Sequence, residues 1–241
     1  MTVSSRSTAR EEVLARIRSS VGDSSAVEQS YAQLPRGYRN AGGGRPWEAG
    51  SPQTVALFLE RLADYGASAR LVDASAAPSA IAEALTGRSV GTVVVPHGFP
   101  ERWRAGLAGV RVLDDDPPVG LGALDAVDGA VTTAATAVAA TGTFVLDGGL
   151  GQGRRALTLV PDYHLCVVPA ERIVRSVPQA LARLDPARPL TFVSGPSATS
   201  DIEMKRVEGV HGPRTLEVLV VAAEPPPPPE DHRPIDDPAE P

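Results

Sequence analysis

The sequence predicts an α/β layer fold with a mainly parallel, partly mixed sheet. Short helical stripes alternate with apolar, strand-like runs from residue 51 onward, the rhythm of strand–helix–strand units. Val90-Gly-Thr-Val-Val-Val95 is almost continuously apolar, as a strand covered on both faces must be. Between Asp128 and Val168 the strand-like runs follow one another with only loops between them, which predicts a mixed or antiparallel section beside the parallel one.

Each element has a local cause. From Thr8 to Val21, Val13, Leu14, Ile17 and Val21 recur at helical spacing with Arg and Glu opposite, so residues 1–22 read as an amphipathic helix ended by Gly22. Residues 23–50 lose that pattern and have the composition of a flexible linker, with Tyr31, Tyr38 and Trp47 as anchors either on the domain or on a partner. Residues 51–223 are the folded body. Ser51 is placed to cap a helix, Pro52 suits its first position, Val55, Phe58, Leu59 and Leu62 form its stripe, and Gly66 closes it. A strand at Ala69–Val72, a helix at Ser79–Leu85, the Val90–Val95 strand, a brief helix at Glu101–Leu107 and a strand at Arg111–Leu113 follow. Further strands are expected at Asp128–Thr133, Val138–Leu146, Thr158–Val160 and Leu165–Val168, then a helix capped by Ser176 and carrying Val177, Leu181 and Leu184. A pair of strands, Leu190–Val193 and Leu216–Val221, finishes the core. Residues 224–241 contain five consecutive prolines, Pro225–Pro229, and an acidic, nearly apolar-free remainder. They read as a disordered, solubilising tail, with recognition by a proline-binding partner as the competing reading.

Composition narrows the function classes. The chain has 241 residues, 42% hydrophobic but only 4% aromatic, so Val, Leu, Ala and Ile must fill the core. A net charge of −6 argues against a nucleic-acid surface. Neither a membrane span nor the apolar core of a signal peptide is visible, and a cytoplasmic location is expected. One cysteine, Cys166, stands in the apolar run Leu165–Val168 and reads as a small core residue; it cannot form an internal disulfide or ligate a cluster unaided.

The polar stretch between Val193 and Leu216 is where chemistry concentrates. Ser194, Ser197, Thr199 and Ser200 bring hydroxyls, Gly195 and Gly212 permit close backbone approach to a ligand, and Arg214 or Lys205 could hold an anion. A long capped turn that satisfies its own backbone is the plainer reading.

Two long motifs here resemble the LUD-domain family. Gly195-Pro-Ser-Ala-Thr-Ser-Asp-Ile-Glu203 is followed by Gly209-Val-His-Gly-Pro-Arg-Thr215. Upstream stand Ala140-Thr-Gly-Thr-Phe-Val-Leu146 and Gly151-Gln-Gly-Arg-Arg-Ala-Leu-Thr-Leu-Val-Pro-Asp-Tyr-His164. The likeness covers roughly Val127 to Val221, more weakly back to about Ser51. It implies a three-layer α/β fold similar to that of sugar-phosphate isomerases, coenzyme A transferases and formyltetrahydrofolate cyclo-ligases. It also implies an accessory subunit of a bacterial iron–sulfur L-lactate oxidation system, which converts lactate to pyruvate. Larger relatives carry cysteine-rich ferredoxin-like segments that this chain lacks, so no cofactor is expected on it and the iron–sulfur clusters belong to companion subunits. Binding a small anionic ligand, or supporting assembly, is then favoured over free-standing oxidation. The alternative is an independent enzyme acting on a phosphorylated or folate-like substrate, which rests on fold similarity alone.

Site candidates follow from residue chemistry. Gly148-Gly-Leu-Gly-Gln-Gly153 resembles a nucleotide loop in composition, but the run after it reads as a strand rather than a helix, and no Walker-type lysine occurs. Free amides at Gly151 and Gly153, with Arg155, could face an anion, or the loop is a plain hairpin turn. Thr141, Gly142 and Thr143 form a hydroxyl-rich wall, or a turn kept small for tight packing. His211, Asp201 and Glu203 are the acid–base candidates: imidazoles titrate near neutrality, while carboxylates two apart cannot share one face. His97, His164 and His232 show no metal-ligand spacing, and no metal site is expected.

Overall fold

The computed structural model describes residues 4–21, 48–200, 206–209 and 211–223. The expected anchors Tyr31, Tyr38 and Trp47, most of the expected linker and the whole expected tail lie outside the described residues. The chain divides into two compact units, residues 1–44 and 45–241. In the first, helix α1 spans Ser4–Val21 and begins earlier than its apolar stripe. Val13 and Ile17 are 56% and 52% exposed, so that stripe is not buried. No helix among the described residues is long and apolar enough to cross a membrane.

The second unit is built in chain order as α2 (Pro52–Asp64), β1 (Ser68–Val72), α3 (Ala77–Gly87), β2 (Thr92–Val95), α4 (Glu101–Arg104), β3 (Arg111–Asp114), α5 (Leu121–Asp125) and β4 (Gly129–Thr133). Then come β5 (Thr136–Val138), β6 (Thr143–Leu146), β7 (Tyr163–Pro169), β8 (Ile173–Val174), α6 (Val177–Leu181), β9 (Thr191–Val193), β10 (Ala198–Ser200), β11 (Arg206–Glu208) and β12 (Thr215–Val221). Ser51 caps α2 as its sequence predicts, its Oγ accepting from Thr54 N at 3.3 Å.

Six strands form a wholly parallel sheet in the order β1-β12-β7-β4-β2-β3. β7 lies inside it and is buried at every residue. Alternation along β7 and β12 divides the core. Leu165, Val167, Leu219 and Val221 pack with Ile81 and Leu85 of α3 and with Trp103 of α4. Cys166, Val168, Val218 and Val220 face the other way, onto Phe58 and Leu62 of α2 and Phe144 of β6. Cores on both faces explain why these strands read as unbroken apolar runs. The second face is completed by a four-stranded mixed sheet, β8-β5-β6-β9, the mixed section expected from the close strand spacing.

Four local expectations are corrected. Val138–Leu146 is not one strand: a 3-10 turn at Ala139–Thr141 breaks it, and β5 and β6 run antiparallel. Gly142 closes that turn at φ +56, and a Cβ there would lie 2.7 Å from the backbone carbon of Arg61 in α2. Thr158–Val160 is not a strand; Arg155–Thr158 forms a 3-10 turn whose Leu157 plugs a small core with Val94, Leu124 and Ala130. The helix after Ser176 stops at Leu181, before Leu184. Finally, the runs at 190–193 and 216–221 are not partners: β9 is an edge of the mixed sheet, and β12 lies within the parallel one. The errors share a source in apolar content, which reports burial but neither where an element ends nor which neighbour a strand pairs with.

Gly142→Ala is expected to destabilise the fold by about 1–3 kcal/mol for the backbone alone, with further loss from the contact with α2; urea unfolding measures it. Cys166 is fully buried and burial pushes its thiol up to about 12. Its labelling by a thiol reagent should therefore track global unfolding, and fast labelling of the native protein would contradict this packing.

Candidate functional site

A cleft of about 240 Å³ opens beside the N-terminal ends of β7 and β12, on the face toward the mixed sheet. β9 supplies one wall. The segment Ser194–Ala198 and the turn His211–Pro213 supply two more, and the Arg155–Thr158 turn closes the rim. His164, second residue of β7, forms the floor.

The two arms of the polar stretch meet at one residue. Ser197 N donates to Pro213 O (2.9 Å), Ser197 O accepts from Gly209 N (2.9 Å), and Ser197 Oγ accepts from His211 N (3.1 Å). The antiparallel pairing of β10 with β11 continues this contact. The histidine-bearing turn and the serine-bearing bend therefore face one another across a single cleft.

Among the described residues that line the cleft, charge has one sign. Arg155 Nη1 donates to Thr158 O (2.8 Å) and Oγ1 (3.0 Å), and Nη2 reaches His211 O at 3.5 Å. Among the described residues Arg155 has no carboxylate partner, and no carboxylate lines the cleft. The floor is different in kind. His164 is 1% exposed, its Nε2 lies 2.7 Å from Thr132 Oγ1, and Phe144 meets its ring edge-on at 5.7 Å between centroids. Burial, and then the positive charge of Arg155, push this imidazole down to about 3, so it is neutral across the physiological range. Its other nitrogen, Nδ1, has no hydrogen-bond partner among the described residues, yet no sealed side-chain nitrogen or oxygen there is left unsatisfied.

The candidates from the sequence separate into groups. Arg155, Ser194, Gly195, Ser197, His211 and Gly212 all line the cleft. Thr143 stands one hydrogen bond behind it, with Oγ1 2.6 Å from Ser194 Oγ and 2.8 Å from Thr141 Oγ1. Gly142 faces α2, not the cleft. Gly195, at φ +95, is needed for approach to protein rather than ligand: a Cβ would lie 2.8 Å from Tyr65 Cβ.

Gly151 lies at the C-terminal ends of β2 and β4. Its N–H donates to His97 O (2.8 Å) and its carbonyl accepts from Thr133 N (2.7 Å). Gly153 N donates to Gly149 O (3.3 Å), so neither glycine amide of this loop is free for an anion. Arg214 points to Asp162 at 3.5 Å, in a separate hollow with Arg88 and Tyr163. Thr199 belongs to β10, and Asp201 and Glu203 lie outside the described residues. Sequence reasoning missed the floor, His164 with Thr132. The available signal was a histidine inside a strand otherwise buried and apolar.

An open parallel sheet with a side cleft lined by cationic and hydroxyl groups defines an α/β protein of layered build. The LUD domain is matched at residues 123–221. The chain is 48% identical over 168 residues to lactate utilization protein C of Deinococcus radiodurans, covering 68% of this chain and 77% of that protein. It is 36% identical over 91 residues to lactate utilization protein C of Halalkalibacterium halodurans, covering 34% and 39% of the two chains. The crystal structure of a DUF162 family protein from Deinococcus radiodurans superposes with a TM-score of 0.60 at 39% identity, covering 70% of this chain and 96% of that one. The chain belongs to the LUD domain family.

The His164 environment has a pH consequence. The ring's usual value of 6.5 falls to about 3 in the fold, so below pH 6.5 the unfolded chain takes up a proton that the native one refuses. Stability should fall as pH drops, by up to about 1.4 kcal/mol per pH unit from this residue. Urea unfolding between pH 7 and 4.5 should show that increment in the wild type and not in His164→Asn.

Proposed function

We propose that this chain serves lactate utilization as a cytoplasmic accessory subunit of a bacterial iron–sulfur L-lactate oxidation system, binding a small anionic ligand in the cleft. The observation that carries the reading is the 48% identity to lactate utilization protein C of Deinococcus radiodurans, sustained over 77% of that protein. The cleft supports the second half: among its described lining residues the one full charge is positive and the remaining polar groups are hydroxyls, amides and imidazoles.

The redox centres fall to companion subunits in this reading. Cluster ligation takes several cysteine thiolates, whereas this chain has one cysteine, buried, with its thiol held protonated. Its residues do not fit a resident cluster. What the chain would contribute is an ordered recognition surface for a metabolite anion, presented to partners that move the electrons.

Affinity purification of the tagged full chain from lactate-grown cells should bring down iron-containing companions. A strain without the chain should lose growth on L-lactate and regain it with the wild-type copy. Recovery of the chain alone, together with normal growth of the deletion strain, would overturn the assignment.

A further inference from the structure

We infer that the acidic segment 230–240 of this chain returns to the cleft and sets a carboxylate on Arg155, so that the protein screens its own anion site. This deepens the proposed function by a regulatory contact, and rests on it only in taking the cleft as a place for anions.

Charge comes first. Residues 224–241 lie outside the described residues, but their sequence carries nearly all of the chain's net charge. They hold six acidic side chains and one arginine, whereas residues 1–223 hold 23 acidic and 22 basic ones. The body is thus close to neutral, with the negative charge gathered in one segment. The choice of cationic hollow for that segment is narrow. Arg102 shares its hollow with Glu171, Arg214 shares one with Asp162, and Arg70 shares one with Glu83. A carboxylate arriving in any of these meets another. Arg155 shares the cleft with no carboxylate among the described residues, and its Nη1 is already held by Thr158 O and Oγ1. An oriented guanidinium loses little freedom on taking a carboxylate. At about 240 Å³ the cleft is smaller than the roughly 300–1,000 Å³ of sites for drug-sized ligands, so it admits a side chain and excludes a folded element.

Reach comes second. β12 runs seven residues from beside the cleft, where Leu216 lines it, to Val221. That is about 23 Å at the usual strand rise. Five extended prolines span about 15 Å, and even ten residues of random coil add roughly 17 Å. Together they exceed the strand, so Asp236, Asp237 and Glu240 are within range of Arg155. A single solvent-accessible ion pair is weak, but a tether raises its local concentration to about millimolar. The contact is therefore reversible. An external anion must displace it, and the apparent affinity of that anion falls by the fraction of clefts left open.

The test is paramagnetic broadening on the full chain. Cys166 is fully buried and its thiol is pushed up to about 12, so a nitroxide reagent attaches only at an introduced Ala239→Cys. At low salt the amide signals of Ser197, His211 and Gly212 should broaden, and those of α3, on the opposite face of the sheet, should not. Arg155→Gln should cut the broadening by about twofold or more, as should replacing the six acids of 224–241 by their amides, or salt at about 1 M, where the Debye length is about 3 Å. Arg102→Gln should leave it unchanged. Mixing spin-labelled chain with ¹⁵N chain that lacks the label reports a second copy's segment, and should leave the cleft signals sharp. Cleft broadening in that mixture equal to that within one chain overturns the inference. So do uniform broadening over the surface, no broadening at the cleft, or full broadening in Arg155→Gln. Each of these leaves the lactate-growth role standing, since that is read from growth and companions.

Discussion

The site depends on the three hydrogen bonds by which Ser197 ties the outgoing arm of the polar stretch to the returning one. Its N–H, carbonyl and hydroxyl all go to residues 209–213. Each such bond contributes only about 1 kcal/mol net, but together they hold a closed loop at its neck. The neck determines where β12 re-enters the sheet, because Pro213 and Thr215 follow at once and Thr215 N donates to Asp162 O, just before β7. With that register established, Leu216 pairs with His164 and the cleft has its floor. Untie Ser197 and the arms need not converge, even if both strands survive.

β7 carries the second constraint. It is covered on both faces, so six of its seven positions suit the residues found there without further explanation. His164 is the exception, since burial of an imidazole beside a guanidinium works against both its charged form and its solvation. Thr132 answers one nitrogen, and the other has no hydrogen-bond partner among the described residues. An apolar residue would pack there at less cost, and polar groups kept against local preference gather where a fold has work to do. Glu217 on β12 shows the contrast: it too is buried, but Arg88 Nε and Tyr163 Oη both meet its Oε2 at 3.1 Å. That carboxylate is met by two donors; the imidazole meets one partner among the described residues.

The layers were legible because burial is written in composition. Val90–Val95 and Leu216–Val221 announce strands with two covered faces, and Ser51-Pro52 announces a helix start from local chemistry alone. Pairing was less legible: nothing in Leu190–Val193 says that it joins Phe144 and Val145 instead of β12. The cleft was half legible. Ser194, Ser197, His211 and Arg155 stood out as polar or charged residues in loops, where function concentrates. Arg214 stood out equally, yet the turn at Gly212-Pro213 sends it to Asp162, a choice of direction that spacing does not record. His164 was hidden for the opposite reason, being embedded in apolar sequence where a lone histidine reads as core.

Global and local charge oppose each other in this protein. The chain carries a formal −6, so its overall field repels any anion that the cleft would hold. Arg155 is exposed at the rim, where solvent and salt screen its attraction beyond roughly 10 Å. Long-range steering is therefore a poor source of selectivity here. Any discrimination in the cleft would have to arise at contact, from groups whose positions are already set: the threonine-anchored guanidinium, the serine-tied backbone of the two arms and the buried ring of His164. Short-range hydrogen bonds of this sort distinguish ligands by where their oxygens sit rather than by how much charge they carry.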